Sequence, residues 1–432
     1  MNNYKLATTA AVALLSPAVY AGYGTIGIGY GGESYAMAGA DVARADSGLG
    51  ASVNPAGLSR IEQGNLGMYG EVFHFTGWEH QDDLGNDQRV TQLTATAFGF
   101  GFGQRLSDNL VAGVVMMGQG GIGLEHKDLL TSAGNRDELS TMVGVFRISP
   151  SIAWQYSPAL SLGASMGLNY SSATQKIFPN TSIAPDQQQP GFPGMKLDGM
   201  ESWTLSYRLG MLYELNQAVT LGLAYGSKTK IHLDGGDAVV NYEAFDAFGN
   251  QRVRYRNAEL KGLALPQELV VGASWQVSER WELAAEIVWL DWSKAMAESE
   301  LRVSDPQTDN QNVQDFAANI VAVTPMKLKD HYPVAIAARY QLDDKSHLMG
   351  GISYAKSPLP PENAAPLFAI MTEVHLTAGY SRRLDDKWTM VATTFYIPEN
   401  EVNYQNKGLP LGNRAREKVE GWDFTFTLER DW

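Results

Sequence analysis

The chain has no cysteine, an excess of acidic over basic residues, and no long apolar run beyond its first residues. Without cysteine among 432 residues, a disulfide framework and a cysteine-based metal site are both excluded. Lys and Arg number 33 against 47 Asp and Glu, a formal net charge of -14. This balance argues against nucleic acid, which requires a basic surface. After roughly the first twenty residues, no stretch approaches the ~18 apolar residues that a membrane-spanning helix needs.

Glycine and aromatic residues are abundant. The 44 glycines and the 10% aromatic content are typical of turn-rich all-β chains, and the length suits either several soluble domains or one large β-barrel. The first residues resemble a secretory signal: Lys5 is followed by an apolar run over 6–19 and by the small-residue site Val19-Tyr20-Ala21. We expect residues 1–21 to be a signal peptide, a mature start at Gly22, and export from the cytoplasm.

The segment after the signal is rich in glycine and alanine and ends in the turn Asn54-Pro55-Ala56-Gly57. It has no apolar face of useful length, whereas glycine and alanine let backbone pack closely against other backbone. Such a segment buries too little side chain to fold alone. We therefore predict that residues 22–62 form a small plug, or hatch, inside the structure that follows.

From Gly64 onward the chain shows long segments with period-two alternation. Trp422, Phe424, Phe426 and Leu428, for example, alternate with Asp423, Thr425, Thr427 and Glu429. Strands of soluble sandwiches usually run five or six residues, whereas these are about twice as long and carry aromatics at their ends, as in membrane barrels.

We count about fourteen such strands. Their predicted starts lie near Gly64, Val90, Asn109, Leu139, Ala159, Met200, Ala218, Ala258, Arg280, His331, Ser346, Thr372, Lys387 and Lys418. The joins alternate between tight turns and long loops, the long ones at about 123–140, 177–199, 233–257, 296–329, 357–371 and 398–418. Short periplasmic turns with longer outer loops are the habit of outer-membrane barrels. The prediction is an all-β fold: a fourteen-stranded antiparallel transmembrane β-barrel over residues 63–432.

Four stretches also resemble a known family. They are the NPAG turn at 54–57, RISPSIAWQYSPALSLGASMGLNY at 147–170, LPQELVVGASWQVSERWELAAEIVWLDWS at 265–293, and YPVAIAARYQLDDKSHLMGGISYAKSPLPPEN at 332–363. With these stretches the mature chain resembles the FadL/TodX-like outer-membrane transporters of long-chain fatty acids and other hydrophobic compounds. The departures lie mostly in loops, and the last residue is Trp where Phe is more usual. The resemblance implies a fourteen-stranded barrel with an N-terminal hatch.

The third predicted strand, Leu110 to Gly123, breaks the alternation because both of its faces are apolar. Val115 and Met117 should therefore touch either a ligand or the plug. Glycines at positions 118, 120 and 121 indicate a bulge or kink, since strand glycine marks weakened pairing or close approach. In the family that the chain resembles, a kink in this strand opens the barrel wall sideways, which implies lateral exit of the solute.

Two predicted outer loops carry exposed apolar residues. Such residues suit a landing groove for hydrophobic solutes, although the two loops could equally pack on one another. The residues are Phe178 and Phe192 in the loop at 177–199, and Phe245 and Phe248 in the loop at 233–257.

Charged residues are predicted on the inner face of the barrel. Arg147 and Arg339 sit mid-strand among small neighbours, where a cation can receive a fatty-acid carboxylate by charge-assisted hydrogen bonds. An amine would suit Glu282 or Glu286 instead. Since barrel interiors hold many paired charges, structural pairing is the alternative for each of these residues.

The sequence therefore predicts passive uptake of hydrophobic solutes, long-chain fatty acids first and aromatic hydrocarbons or other lipids as alternatives. We expect no cofactor, no metal site and no catalysis. The GxGxxG spelling at 22–27 opens no helix and follows no strand. A lipid-acting barrel enzyme using His331 or His347 and a polar porin are the other classes considered. The expected partners are the solute, outer-membrane lipid and lipopolysaccharide, with the protein a monomer in the bacterial outer membrane.

Overall fold

The computed structural model describes residues 22–91, 93–186, 191–369 and 371–432. The predicted signal peptide, residues 1–21, lies outside the described residues. None of the described helices is both long enough and apolar enough to cross a membrane.

The described residues form an antiparallel barrel of fourteen strands. The strands are β1 (Gly64–Asp82), β2 (Thr94–Ser107), β3 (Leu110–Leu130), β4 (Arg136–Ser157), β5 (Leu160–Ile183), β6 (Phe192–Glu214), β7 (Val219–Gly226), β8 (Glu268–Gln276), β9 (Trp281–Leu290), β10 (Val334–Asp343), β11 (Ser346–Tyr354), β12 (Val374–Arg383), β13 (Trp388–Gln405) and β14 (Arg414–Asp431). Each pairs with its neighbours in the chain, and β14 closes the ring on β1, from Asn65 opposite Asp431 to Asp82 opposite Ala415. The predicted fold and strand count are confirmed.

The apolar face of the strands points outward and the polar face points inward, as the alternation in the sequence predicts. On β14, Phe424 and Phe426 are about half exposed, at 55% and 52%, whereas Asp423 and Thr425 are buried in the interior. A band of exposed aromatic and aliphatic side chains on the outside, with polar residues inside, is the arrangement of a barrel whose outer face meets lipid.

The connections separate the barrel into two ends. At the tight-turn end the strands are joined by short turns, at 108–109, 158–159, 215–218, 277–280, 344–345 and 384–387. The chain also closes there, because Gly64 and Trp432 exchange backbone hydrogen bonds of 3.1 Å. Among the described residues, the opposite, long-loop end carries five further strands and two short helices. The strands are Asp87–Arg89, Thr229–Asn241, Arg252–Leu265, Glu298–Pro306 and Asn319–Pro325, and the helices are Trp292–Ala295 and Gln311–Phe316.

Several predicted loops are in fact strands. The loop predicted at 123–140 shrinks to the turn between β3 and β4, and the loop at 177–199 shrinks to the residues between β5 and β6. The loop at 233–257 is mostly a hairpin of two strands, and the barrel strand predicted near Ala258 begins at Glu268. The reason is that these strands extend past the lipid-facing band. Beyond that band the hydrogen-bonded pairing of the strands continues, but the residues no longer alternate between apolar and polar as they do in a membrane-spanning strand.

Residues 22–62, here called the N-terminal segment, hydrogen-bond to inward-facing side chains around the ring. Thr377 and Thr393 donate to the carbonyls of Ala36 and Gly32, both at 2.8 Å. On another wall Asn65 Oδ1 accepts from the Gly48 N–H at 2.7 Å. The segment contains a short helix, α1 (Gly32–Ala36), and 3-10 turns at Gly50–Ser52 and Pro55–Arg60. Its backbone therefore lies inside the ring of strands and contacts more than one wall.

Candidate functional site

The NPAG turn is fixed by the side chain of Asn54, which is fully buried. Its amide nitrogen donates to the carbonyls of Val42 at 2.8 Å and Met211 at 3.1 Å, and its oxygen accepts from the Ala56 N–H at 3.1 Å. Asn54 thus caps the 3-10 turn whose first residue is Pro55, positions that suit asparagine and proline. The bond to Met211 ties this turn to β6.

The turn fits against the wall because two wall residues are glycine. A Cβ at Gly163 of β5 would collide with the Ala56 backbone nitrogen, and one at Gly210 of β6 would collide with Asn54 Oδ1. Backbone can approach this closely only where the side chain is absent. The four predicted residues, Asn54, Pro55, Ala56 and Gly57, are all buried in this contact.

Two carboxylates of β9 hold the N-terminal segment as well. Glu286 Oε2 accepts from the backbone N–H groups of Asp41 at 3.0 Å and Val42 at 2.8 Å. Glu282 receives the guanidinium of Arg44 at 2.7 and 3.3 Å. The two carboxylates that were considered as receivers of an amine are therefore bound to the segment itself.

Strand β3 has a register shift at the predicted glycines. Gly118 pairs with Phe146 and Gly120 with Val145, so Gln119 has no opposite residue on β4. At this point the N-terminal segment joins the strand: the Gly121 N–H donates to the Thr25 carbonyl at 3.0 Å, and Ile26 forms a bridge with Gly120. The Tyr30 hydroxyl donates to the Gln119 carbonyl at 3.1 Å. Sequence reasoning missed the roles of Thr25, Ile26 and Tyr30.

The hydrogen-bonded ladder between β2 and β3 ends next to this register shift of β3. In the described part of the chain its last pair is Gly99 with Met117, although β2 continues to Thr94 along β1 and β3 continues to Leu130 along β4. Further toward the long-loop end, the Thr91 N–H donates to the Glu125 carbonyl at 2.7 Å. Between these two contacts lies an interruption of the wall, here called the β2–β3 window.

The two predicted apolar residues of β3 contact the N-terminal segment. Val115 and Met117 are buried in one cluster with Ala51, Leu58 and Ile61 of the segment. The sequence left open whether these inward side chains contact a ligand or the plug. In the structure they pack against the N-terminal segment.

A large apolar cluster occupies the interior on the long-loop side of the N-terminal segment. Its aromatic centre joins Phe73 to Phe75 at 4.4 Å between ring centroids, Phe75 to Trp78 at 4.7 Å, and Tyr35 to Phe395 at 5.4 Å. The interior on the tight-turn side differs. A cavity of about 290 Å³ there is lined by charged side chains, namely Glu33, Asp41, Arg44, Asp46, Arg339, Asp344, Lys345, Arg383 and Glu429.

Arg147 is buried on the inner face of β4, opposite Met117 and Asn169 in the ladders. Among the described residues it has no ion-pair partner, and its Nε has no hydrogen-bond acceptor. The nearby inward groups Tyr69 hydroxyl, Asn169 Oδ1 and Ser171 Oγ are also buried without a partner in the described chain. The other arginine close by, Arg208, differs because it binds Glu268 and donates to the Val53 carbonyl at 2.8 Å.

Arg339, the other predicted cation, lies near the tight-turn end. Its guanidinium is 3.9 Å from Glu282 and 3.3 Å from His347 Nδ1, and it lines the charged cavity. Arg147 and Arg339 therefore do not share a site: one lies beside the β2–β3 window and the other among paired charges.

The predicted loop phenylalanines form two contacts at the long-loop end. Phe178 and Phe192 lie edge to face at 6.1 Å, and Phe178 is completely buried with Leu129, Leu139 and Leu411. Phe245 stacks on Phe248 at 5.9 Å, and both rings meet Tyr242. Phe245 also packs against Gly191, next to Phe192, so the two groups adjoin.

The two histidines considered for catalysis are far from each other in the fold. His331 pairs by backbone with Leu290 toward the long-loop end, whereas His347 lies beside Arg339 near the tight turns. Among the described residues no group of three or more histidine, aspartate or glutamate side chains could hold a metal ion.

Comparison with known proteins gives a consistent picture. A family model described as outer membrane protein transport protein (OMPP1/FadL/TodX) matches residues 18–430. The long-chain fatty acid transport protein of Escherichia coli O6:H1 is 22% identical over 440 residues, covering 93% of this chain and 92% of that protein.

Two solved structures have the same fold. The toluene transporter TodX of Pseudomonas putida superposes with a TM-score of 0.74 at 16% identity, over 95% of this chain and 99% of that one. A FadL homologue of Pseudomonas aeruginosa gives a TM-score of 0.71 at 14% identity, over 94% and 99%. At these identities the structural likeness establishes the fold.

Proposed function

The chain belongs to the outer membrane protein transport protein family (OMPP1/FadL/TodX), and on this premise we propose that it admits long-chain fatty acids passively through the bacterial outer membrane. The solute enters at the long-loop end, crosses the apolar cluster and leaves through the β2–β3 window into the membrane. Residues 22–62 act as the hatch that closes this route. The protein works as a monomer surrounded by lipid and lipopolysaccharide.

Arg147 is the observation that carries the choice of a fatty acid. A buried guanidinium without a carboxylate partner is unfavourable, because desolvation of the ion is not offset by an ion pair. The carboxylate of a fatty acid would supply that partner through charge-assisted hydrogen bonds. Arg147 lies on the inner face of β4, directly opposite Met117 at the end of the β2–β3 ladder. A bound head group would leave the acyl chain in the apolar cluster.

The two halves of the interior support exit through the wall. Moving apolar surface from the cluster into a charged, hydrated cavity costs roughly 25 cal/mol per Å². The path onward to the tight-turn end passes Arg44, Glu282 and Arg339, which are engaged with one another. The β2–β3 window instead leads to the lipid-facing band, where an acyl chain remains in apolar surroundings.

Aromatic hydrocarbons are the second candidate class. The rings of Phe73, Phe75, Trp78 and Phe395 offer edge and face contacts that suit a small aromatic solute. One protein of the same fold is a toluene transporter by name. A hydrocarbon would leave Arg147 without a partner, and for this reason we place it second.

Uptake by cells that lack their own transporter of this kind tests the proposal. Arg147→Met keeps an unbranched, flexible side chain but removes the charge and the hydrogen-bond donors, and Arg339→Met is the matched control at a paired arginine. A hydrogen bond to a charged group contributes about 1.5–3 kcal/mol, so palmitate uptake should fall roughly 10- to 150-fold in the first variant and little in the second.

Uptake of hexadecane should be unchanged in both variants, and heat-modifiable mobility on gels checks that each barrel is folded. Equal palmitate uptake by wild type and Arg147→Met would exclude Arg147 as the carboxylate receiver. Rapid uptake of toluene with none of palmitate would select the second class.

A further inference from the structure

The first described residues, Gly22 to Ile26, connect two walls of the barrel. At one end Thr372 Oγ1, close to the start of β12, donates to the Gly22 carbonyl at 3.2 Å. At the other end the Thr25 carbonyl accepts from the Gly121 N–H of β3 at 3.0 Å. We call residues 22–26 the strap, because they extend from β12 to the β2–β3 window.

Buried polar groups without partners surround the strap. Trp292, whose ring contacts Gly24, is 0% exposed, and its Nε1 has no acceptor among the described residues. His331 is 1% exposed and neither ring nitrogen has a partner there; its ring lies 6.2 Å from that of Tyr23. The hydroxyl of Thr25, which belongs to the strap, is also buried without a hydrogen-bond partner among the described residues. Buried polar groups are nearly always hydrogen-bonded. Here one such group lies at or beside each of the consecutive strap residues Tyr23, Gly24 and Thr25, and none has a partner among the described residues.

The charged groups around these polar side chains, Asp291, Lys294 and Asp330, already have partners. Burial alone lowers the pKa of His331, to about 4, so its ring is neutral near pH 7 and offers one donor and one acceptor. The nearest cation along the chain, Lys294, is largely exposed and lies 3.6 Å from Asp291. Asp330 already accepts from Trp289 Nε1 at 3.1 Å and from the Ser293 N–H at 3.2 Å. A carboxylate or an ammonium placed beside Trp292 and His331 would therefore be desolvated without a counter-ion.

We propose that Trp292, His331 and Thr25 form a subsite for a neutral hydrogen-bonding group, such as a hydroxyl or a carbonyl, on an otherwise apolar solute. The subsite is separate from Arg147 and rests on the proposed function. Trp292 donates through Nε1, His331 donates and accepts, and the Thr25 hydroxyl does either. The strap occupies the space beside these groups, so a solute that displaces the strap provides their missing partners. The subsite thus favours oxygenated solutes over hydrocarbons of the same length.

The experiment compares the uptake of 1-dodecanol and dodecane, added together, by the transporter-deficient cells used for palmitate, because both solutes would enter a plain lipid bilayer without the protein. Trp292→Phe and His331→Phe keep an aromatic ring and remove the polar atoms, and Thr25→Val removes the hydroxyl at similar size. Trp289→Phe is the control, because its Nε1 already has Asp330 as a partner. We expect wild type to favour the alcohol and each subsite variant to lower the alcohol-to-alkane ratio at least about fivefold, with the control unchanged.

A ratio that stays at the wild-type value in all three subsite variants would overturn the subsite, as would a wild type with no preference for the alcohol. Thr25→Val keeps the test decisive if a ring substitution prevents folding, which gel mobility reports. Palmitate uptake separates the two proposals: loss of the alcohol preference with palmitate uptake intact concerns only the subsite. Failure of palmitate and alkane uptake in wild type would instead refute the proposed function.

Discussion

The two halves of the barrel interior differ in chemistry although the same strands line both. On the long-loop side, inward positions carry aromatic and aliphatic residues such as Phe73, Phe75 and Ile397. On the tight-turn side, inward positions carry charges such as Glu282, Arg339 and Arg383. The N-terminal segment separates the two halves.

The charged half holds the segment in place. Glu282 and Glu286 bind Arg44 and the backbone of Asp41 and Val42. At the end of the segment, Arg105 donates to the carbonyls of Ser59 at 2.7 Å and Ile61 at 2.6 Å. These partners are buried or partly buried, where hydrogen bonds to charged groups are stronger than at the surface. The tight-turn half is therefore suited to anchoring a plug.

The apolar half has few such anchors on the segment. There the strap is held by the Gly121 N–H, by the bridge between Ile26 and Gly120, and by the Thr372 hydroxyl. A segment that is fixed at one end and lightly held at the other can open locally without leaving the barrel, since local stability follows the number of buried contacts. From this comparison we expect movement to start at the strap while the NPAG turn remains docked.

Placing a charge in the apolar half should have the largest effect. Phe75 is buried between Phe73 and Trp78, so Phe75→Glu puts a carboxylate on the proposed solute path. We expect palmitate uptake to fall at least about tenfold, because the solute must pass a charge that holds water. In Phe75→Leu, which keeps the surface apolar, palmitate uptake should fall less than about threefold.

The matched change in the other half is Arg383→Leu, which should leave uptake near wild type because no solute passes there. If Arg383→Leu blocked uptake as strongly as Phe75→Glu, the solute would cross the charged half and the lateral route would be wrong. Both measurements require that the variants show the gel mobility of a folded barrel.

The fold could be read from the sequence because a membrane barrel repeats one pattern. The alternation of Phe424 and Phe426 with Asp423 and Thr425 needs no tertiary information, since lipid selects one face of every strand. The pattern failed beyond the lipid-facing band. Strands such as Arg252–Leu265 pair with neighbours on the outer side, where both faces lose the apolar repeat. That stretch was predicted to be loop up to residue 257 and barrel strand from near Ala258.

The site was less predictable because its partners are distant in sequence. Glycines at 118, 120 and 121 marked the bulge, yet the contact of Gly121 with Thr25 depends on how the segment crosses the barrel. Arg147 and Arg339 looked alike in the sequence, as mid-strand arginines among small residues. Only the fold separates them, because Glu282 on β9 neighbours Arg339 on β10. Trp292 and His331 are distant in sequence, and the Leu290–His331 bridge and the bonds of Asp330 to Trp289 and Ser293 bring their segments together.

Loosening the NPAG turn should have an intermediate effect. Asn54→Ala leaves the carbonyls of Val42 and Met211 without their donor, at a cost of about 1–3 kcal/mol for each buried group. We expect palmitate uptake to be impaired roughly five- to tenfold while the barrel stays heat-resistant, since the strand ladders are untouched. Pro55→Gly, which frees the first residue of the 3-10 turn, should act in the same direction but more weakly.

Ser59→Ala is the control for the turn. It removes one hydrogen bond, to Ser161 Oγ at 2.8 Å, without changing the NPAG residues. Uptake at wild-type rates in both Asn54→Ala and Pro55→Gly would show that this turn has no part in gating. Proteolysis of the folded barrel would then reveal whether the segment stays docked.

The smallest expected effect comes from displacing the strap at its light contact. A Cβ added at Gly120 would lie 2.5 Å from the Thr25 carbonyl oxygen, so Gly120→Ala forces the strap away from β3. Because less free energy is then needed to move the strap out of its closed position, we expect basal uptake of dodecane to rise about two- to threefold, equivalent to roughly 0.5 kcal/mol. Gly70→Ala on β1 is the control, since nothing lies within 4 Å of its Cβ position. A fall in uptake with Gly120→Ala would mean that the strap helps the solute across rather than blocking it, and the difference in anchoring between the two halves would not explain gating.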